Sequence, residues 1–476
     1  MTESESGAST LHNVILLTID CLRADRLSSH GYSRRVTPNI DRLAEKGVLF
    51  STAIANGINT ACSFPSILTS TYALMYPRFK ENTLFLTHER TSIAEVLGRN
   101  GYATAAFHSN PHLAACFGYD KGFDVFEDHM GTRQESQGFV TRVKRKIKSK
   151  HDKEHGFYKI LRSGKSFLSL WKLRKYLGQF VPYPKAEIIN REAVEWISNN
   201  LNGFFVWMHY MDVHQPYFPP QPLLQHFRAV RLGDRIWKDG RIISHSDLKM
   251  FTELYDKEVR YVDHQLGRFF EKLKELGIWL ENSYIIITSD HGDEFMEHGG
   301  VGHGPNGDRP RMYDELLRVP FIIGGPELPH KKVDNQVALI DLAPTIVELI
   351  GLGKNVSFLG QSLVPHIKSS FVGEKGVISE FQYRKQRAYS YRTRNWKYIL
   401  ALNGEVRSEL YNLKVDPAEQ ENIAKQAPSE VRKLKRLIRN HILFEESIDS
   451  ATEAVKQRIR ERISKIKQMT DGACAF

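Results

Sequence analysis

The sequence predicts an α/β fold in which a mostly parallel central sheet is followed by a smaller C-terminal unit with a short antiparallel sheet. Three observations carry that prediction. Two continuous apolar runs rich in β-branched residues, Asn13 to Ile19 and Tyr284 to Thr288, read as strands buried on both faces of a sheet. Between and after them, strand-like runs alternate with helical patterns. From about residue 376 the chain changes to short segments of alternating polarity, as antiparallel strands require. A length of 476 residues suits one large domain and one small one, with boundaries expected at 11–372 and 373–476.

The first run ends in Asp20. Thr37 then suits a helix N-cap and Pro38 the first helical position, with Ile40, Leu43 and Ala44 on one face and Gly47 at the end. Thr60 to Ser70 crowds hydroxyls into a turn that runs into a helix, where free backbone N–H groups favour an anion. A helix at Ser92 to Arg99 and a strand at Ala103 to Phe107 continue the alternation. Residues 131–185 break it with a basic insertion carrying T-R-V-K-R-K-I-K-S-K and W-K-L-R-K-Y. Helix returns at Lys185 to Ile197, and the strand Gly203 to Met208 leads into the stretch His209 to Tyr217, with His214 just past the strand end. A long helix, Lys249 to Leu276, precedes the second acid-ended strand. Val319 to Ile323 supplies a further strand, and Ala338 to Leu349 a helix in which Pro344 marks a kink or a late start. Residues 429–468 read as a basic amphipathic helix, or a pair of them, packed on the C-terminal unit.

Hydrophobic residues make up 41% of the chain, ample for a core, yet no run approaches the roughly eighteen apolar residues of a membrane span. The first ten residues are acidic and polar, unlike a secretory signal, so a cytoplasmic location is expected. Four cysteines at irregular spacing offer no Cys-x-x-Cys zinc pair and suggest reduced thiols. The net charge of +11 fits an anionic substrate or an acidic surface. Much of it lies in the insertion and the tail, which leaves peripheral contact with anionic lipid open. Without regularly interleaved aromatics, those segments predict no specific nucleic-acid partner.

Asp290 and His291 stand just past the second strand, in S-D-H-G-D-E-F-M-E-H-G. Open α/β sheets bind ligands outside the carboxyl ends of their strands. A carboxylate and an imidazole there can give an oxygen and a nitrogen to one divalent cation. The plainer alternative is an acid capping a loop beside a satisfied histidine.

These motifs combine with N-V-I-L-L-T-I-D-C-L-R-A-D from Asn13, T-P-N-I-D-R-L-A from Thr37, G-H-G-P from Gly302, Y-D-E-L-L-R-V-P-F-I-I from Tyr313 and L-Y-N-L-K-V-D-P-A-E-Q-E-N-I from Leu410. Together they resemble the alkaline phosphatase superfamily, most closely its sulfatase-like branch of arylsulfatases, phosphodiesterases and phosphotransferases. The resemblance covers about residues 11–424 and implies a three-layer alkaline-phosphatase-like sandwich. In sulfatases the nucleophile is a formylglycine made from the first residue of Cys-x-Pro-x-Arg. Cys62-Ser63-Phe64-Pro65 lacks both the proline and the arginine at that spacing, so the modification is not expected at Cys62. Matching the family at Leu68-Thr69 puts Thr60 in the nucleophile position, and Ser63, in Ser-x-Pro-Ser, is the second candidate.

The resemblance then implies a site. Asp20, Asp290 and His291 would hold one divalent metal, with Thr60 as a further ligand and as the attacking hydroxyl. His303 stands where sulfatases often carry a lysine, and His214 matches the family's His-x-Pro. Both are candidates for catalysis and substrate binding, His303 as a group touching the transferred anion and His214 by binding that anion or protonating the leaving group. His209 and Asp212 share that stretch, and His298 is a candidate for a position just outside the ligands or at a second metal. Many sulfatases have a second aspartate where this chain has Cys21, which shifts the expected metal from calcium toward manganese or zinc. The implied function is hydrolysis of an anionic sulfate or phosphate ester through a covalent intermediate. A transferase moving a phospho-head group onto a glycan or lipid, and a binding protein that keeps the fold, are the alternatives.

Overall fold

The computed structural model describes residues 11–80, 83–130, 183–215, 217, 219, 244–303, 311–353, 358–369, 373, 375–402 and 406–473. The basic insertion expected at 131–185 lies almost wholly outside them.

The strands and helices that position the site run in this order. In the first half they are β1 (Asn13–Ile19), α1 (Pro38–Lys46), β2 (Val48–Ile54), α2 (Thr60–Thr69), α3 (Ile93–Arg99), β3 (Ala103–His108), β4 (Val125–Glu127), α4 (Ala186–Ser198) and β5 (Phe204–Tyr210). The long helix α5 (His245–Glu275) leads to β6 (Ser283–Thr288), β7 (Arg318–Gly324), β8 (Lys331–Ala338) and α6 (Leu342–Leu349). Among the described residues these strands form one eight-stranded sheet in the order β8-β2-β7-β6-β1-β5-β3-β4. Only β7 runs antiparallel to its neighbours, β2 and β6.

β1 lies between parallel β5 and β6, which explains its unbroken apolar run: all seven of its residues are buried. Because strand side chains alternate, the two faces feed separate cores. Val14, Leu16, Phe205, Trp207 and Ile286 pack with Phe64 and Ile67 of α2 and Ile346 of α6 on one face. Ile15, Leu17, Val206, Met208, Ile285 and Ile287 pack with Ile40 of α1, Ile189 of α4 and Leu266 and Phe269 of α5 on the other. Burying each such side chain contributes about 1.5–3 kcal/mol, so helix, sheet and helix form three cohesive layers. This is the alkaline-phosphatase-like sandwich expected from the motifs.

The C-terminal unit is a four-stranded antiparallel meander, β9 (Val377–Tyr383), β10 (Gln386–Arg392), β11 (Trp396–Leu402) and β12 (Val406–Asn412). Val377, Phe381, Ala388, Ile399 and Ala401 join the core of the large sheet, and the strands' other face receives Leu434 and Ile438 of α7 (Pro428–Ala473). The two sheets therefore share one apolar core.

Several local readings need revision. Thr37 occupies the N-cap of α1, but its hydroxyl donates to Asp41 instead of accepting from the helix. Pro344 marks a late start: a 3₁₀ turn, Leu339–Asp341, precedes α6. Strands β2 and β8 gave no clear signal: β8 is an edge strand with a polar pattern, and only Gly47 separates β2 from α1.

Candidate active site

The candidate site is assembled where the parallel strands end. Asp20 follows β1, His209 is the penultimate residue of β5, Asn110 lies two residues past β3, and Asp290 two past β6. Right after Asp20 the chain reverses through Cys21, whose φ of 61° is left-handed, and Asp20 is fixed by its own N–H to Tyr210 O at 2.9 Å. Thr60 is the first residue of α2. That helix is started by Asn59, whose side chain accepts from Cys62 N at 2.9 Å. The first N–H groups of a helix have no partner within it, so the end that carries Thr60 is a favourable place for an anion.

Thr60 Oγ1 donates to Asp290 Oδ2 at 3.0 Å and is almost fully buried. Asn110 Nδ2 ties the neighbours together, donating to Asp20 Oδ2 at 3.0 Å and lying 3.4 Å from Thr60 Oγ1. His209 Nε2 stands 3.3 Å from Asp20 Oδ2, its other ring nitrogen held by Thr18 Oγ1 at 3.0 Å. His291 Nδ1 donates to Gly292 O at 2.9 Å, which directs Nε2 toward Asp290 Oδ2 at 3.4 Å and Asp20 Oδ1 at 3.8 Å.

A second layer of imidazoles faces these groups. His303 lies ring to ring with His291, centroids 4.3 Å apart, and with His214, 5.0 Å apart. His303 Nδ1 is 3.1 Å from Asp293 Oδ1, and Asp293 Oδ2 accepts from Tyr217 OH at 2.8 Å and Gln215 Nε2 at 3.1 Å. Burial disfavours a charged His303, but the Asp293 carboxylate outweighs it and holds the imidazole above its ordinary range. His214 Nδ1 donates to Gln215 O, leaving Nε2 free for other partners, and burial lowers this imidazole. Burial alone would raise Asp20; the His209 contact and the charges of His214 and His291 hold it well below the usual carboxylate range. Asp290 is raised, by burial and by the charge of Asp20.

Residues 12–352 match the model of the sulfatase family. The chain belongs to the sulfatase family. Residues 303–444 also match the model described as N-sulphoglucosamine sulphohydrolase, C-terminal. Arylsulfatase K of Bos taurus is 29% identical over 237 residues, 47% of this chain and 42% of that protein, so this match spans under half of the relative. Arylsulfatase K of Homo sapiens is 23% identical over 98% of this chain and 88% of its own. The arylsulfatase of Clostridium perfringens is 25% identical over 86% and 90%. Two solved structures share the fold: BT4656 in complex with its substrate D-glucosamine-2-N,6-O-disulfate, TM-score 0.68, 19% identity, 92% of this chain and 99% of the other; and the phosphonate monoester hydrolase of Agrobacterium radiobacter, TM-score 0.68, 20% identity, 92% and 96%.

In this member of the family, Asp20, Thr60, Asp290 and His291 meet at one point, with His214 and His303 beside them. Ser63 lies one turn along α2, fully buried, and its hydroxyl donates to the backbone oxygen of Asp290 at 2.5 Å. Cys62 is buried too, and burial pushes its thiol up to about 12, so it holds no thiolate near neutral pH. Asp212 serves the fold: its Oδ2 accepts from Ala186 N at the start of α4, and Lys185 Nζ is 3.4 Å from Oδ1. His298 stacks on Tyr313 and pairs with Glu315. The sequence pattern alone assigns no role to Asn110 or Asp293 and marks Cys21 only as a missing aspartate. An Asn-Pro turn two residues past β3 is the signal at Asn110, and Asp293 lies within S-D-H-G-D-E-F-M-E-H-G.

The donor set fits a divalent cation. Two fully buried carboxylates face each other with imidazoles as their nearest basic neighbours. His291 Nε2 is buried without a hydrogen-bond partner and is aimed at both. A histidine whose Nδ1 is held by a carbonyl presents Nε2 as metal ligands do.

Proposed function

We propose that this sulfatase-family chain hydrolyses a sulfate or phosphate ester through a covalent intermediate on Thr60, with one divalent metal held by Asp20, Asp290, His291 and Thr60. The observation that carries the reading is the convergence of Thr60 Oγ1, at a helix N-terminus, on Asp290 beside the unpartnered His291 Nε2. When bound, a divalent cation supplies positive charge against the Thr60 oxygen and the non-bridging oxygens of the ester. Oxygen and nitrogen donors, with Cys21 in place of a second carboxylate, favour manganese or zinc over calcium.

The residues divide the work. Thr60 Oγ1 attacks sulfur or phosphorus as its proton moves toward Asp290 Oδ2, and the bond to the leaving oxygen breaks in line with the new one. His214 gives that oxygen its proton. Water then attacks the Thr60 ester, losing a proton to His214, and Thr60 regains its own from Asp290. His303, backed by Asp293, donates to the transferred anion, and the N-terminus of α2 adds dipolar stabilisation. Asn110 fixes Asp20 relative to Thr60. The relatives support a sulfate ester most directly, being named arylsulfatases. The phosphonate monoester hydrolase keeps phosphorus esters in view.

The test is intact-protein mass spectrometry after incubation with aryl sulfate, aryl phosphate and a phosphodiester, with manganese, zinc or calcium added. The expected result is a sulfuryl or phosphoryl adduct that maps to Thr60 and is lost in Thr60→Ala. Turnover that persists in Thr60→Ala would overturn the assignment and move the role to Ser63.

A further inference from the structure

A second cluster of carboxylates and imidazole lies away from the strand ends, where the C-terminal helix meets the C-terminal sheet. Glu380 comes from β9, and His441 and Glu445 lie one turn apart on α7. Glu380 is fully buried, Glu445 is 2% exposed and His441 9%. One ligand atom from each falls within 4.8 Å of the others.

The outer contacts prepare these atoms. Glu380 Oε2 accepts the backbone N–H of Leu74 at 2.9 Å, which leaves Oε1 for His441 Nε2, 2.5 Å away. Tyr389 OH donates to Glu445 Oε2 at 3.0 Å, which leaves Oε1 aimed at His441 Nε2 across 3.6 Å. That Glu445 oxygen is buried with no hydrogen-bond partner. Each carboxylate thus uses one oxygen to fix its orientation and turns the other inward, as ligands held from outside do. The His441 ring is seated edge-on against Tyr72, centroids 4.4 Å apart.

We propose that Glu380, Glu445 and His441 form a second divalent-cation site, of the zinc or manganese class, that fastens α7 to the C-terminal sheet. Two carboxylate oxygens and one imidazole nitrogen suit those metals, and tetrahedral zinc accepts three such protein ligands plus water. Two ionised carboxylates buried together repel, and a divalent ion cancels their charge. Consistent with that repulsion, burial and then the neighbouring Glu380 push the Glu445 carboxyl up to about 10, and burial raises Glu380. The rival arrangement is a proton shared between the two carboxylates, and it needs no metal. The proposal is independent of the Thr60 chemistry.

The experiment uses the full chain with Asp290→Asn, which removes a ligand of the first site, stripped with chelator and titrated with cobalt(II) as the probe. The expected result is one bound equivalent with a visible ligand-field band, displaced by zinc, and a zinc-dependent rise in Tm of several degrees. Adding Glu445→Gln keeps the volume and can keep the Tyr389 contact. It should weaken cobalt binding by about 10–100-fold and remove the zinc-dependent rise. Far-UV circular dichroism verifies that each variant is folded, and His441→Gln provides a second variant with the same expectation. Cobalt binding that Glu445→Gln and His441→Gln leave unchanged would overturn the proposal. So would an Asp290→Asn chain that binds no cobalt, which would favour the shared proton.

Discussion

Two buried acidic clusters in this chain look alike by composition and differ in what neutralises them. At the strand ends, Asp20 and Asp290 have imidazoles as their nearest basic partners, with His209 Nε2 at 3.3 Å and His291 Nε2 at 3.4 Å. At the seam of the two sheets, Asp314 is paired with Arg392 at 2.7 Å and Lys397 at 2.9 Å, and Lys397 also meets Glu419 at 3.0 Å. The seam acids have permanent cations beside them. The strand-end acids have neighbours that carry charge only when protonated, which leaves the cluster open to a metal and to an ester. Buried charge by itself therefore does not mark a reactive site; buried carboxylates without a permanent cation mark places open to a metal or a proton.

The sharpest way to break this contrast is Thr60→Ala. It should lower kcat by about 10⁴-fold or more, because it removes the proposed nucleophile. Far-UV circular dichroism and the urea midpoint should stay close to wild type, and a similar turnover number from purified variant would remove Thr60 from the chemistry.

Asp314→Ala should do the reverse. Lys397 is fully buried and would lose one of its two carboxylates, so stability should fall by about 3–5 kcal/mol, while turnover per folded molecule should remain. Urea denaturation measures the loss. The pH dependence follows from the same contacts. Burial opposes ionisation of Asp314, but Arg392 and Lys397 overcome it and hold the carboxyl far below its ordinary value. A carboxyl with a depressed folded-state pKa contributes stability above its unfolded value, near 3.9, and loses it as pH falls further. The wild type should thus lose this contribution progressively below about pH 4, and Asp314→Ala should show a flatter acid limb.

Cys21→Asp tests the metal side of the comparison. The left-handed φ at this position is one that aspartate tolerates better than most residues. The added oxygen should raise relative calcium affinity by about tenfold, read by competition between calcium and zinc. Unchanged selectivity would mean that a carboxylate at position 21, where the thiol now lies 2.9 Å from Asp20 Oδ1, does not join the ligands.

The smallest effect is expected from Ser63→Ala. It removes one hydroxyl hydrogen bond to Asp290 O and should cost about 1 kcal/mol, with turnover within a few-fold of wild type. A loss comparable to Thr60→Ala would exchange the two roles.

Much of the fold was legible because burial on both faces leaves a direct trace. β1 and β6 read as unbroken apolar runs, and the strand-end rule points to Asp20, Asp290 and His291 from the chain alone. β8 was not legible: an edge strand buries only part of its length, and its alternation is interrupted by Asp334, Asn335 and Gln336. Ser63 and Thr60 could not be separated from the chain alone, since both are hydroxyls in one helical turn. Their difference is that Thr60 Oγ1 meets a carboxylate and Ser63 Oγ a backbone carbonyl.

By itself, then, the sequence determined the α/β class, the acid-ended strands and the sulfatase-like motifs, because each depends on residues adjacent in the chain. Tertiary structure alone decided which acids have permanent cations, why Asn110 and Asp293 belong with the candidate site, and how Glu380 comes to face His441 and Glu445. Those relations join residues tens to hundreds of positions apart. Packing the sheets and helices around a shared core sets their distances, and local pattern carries no record of them.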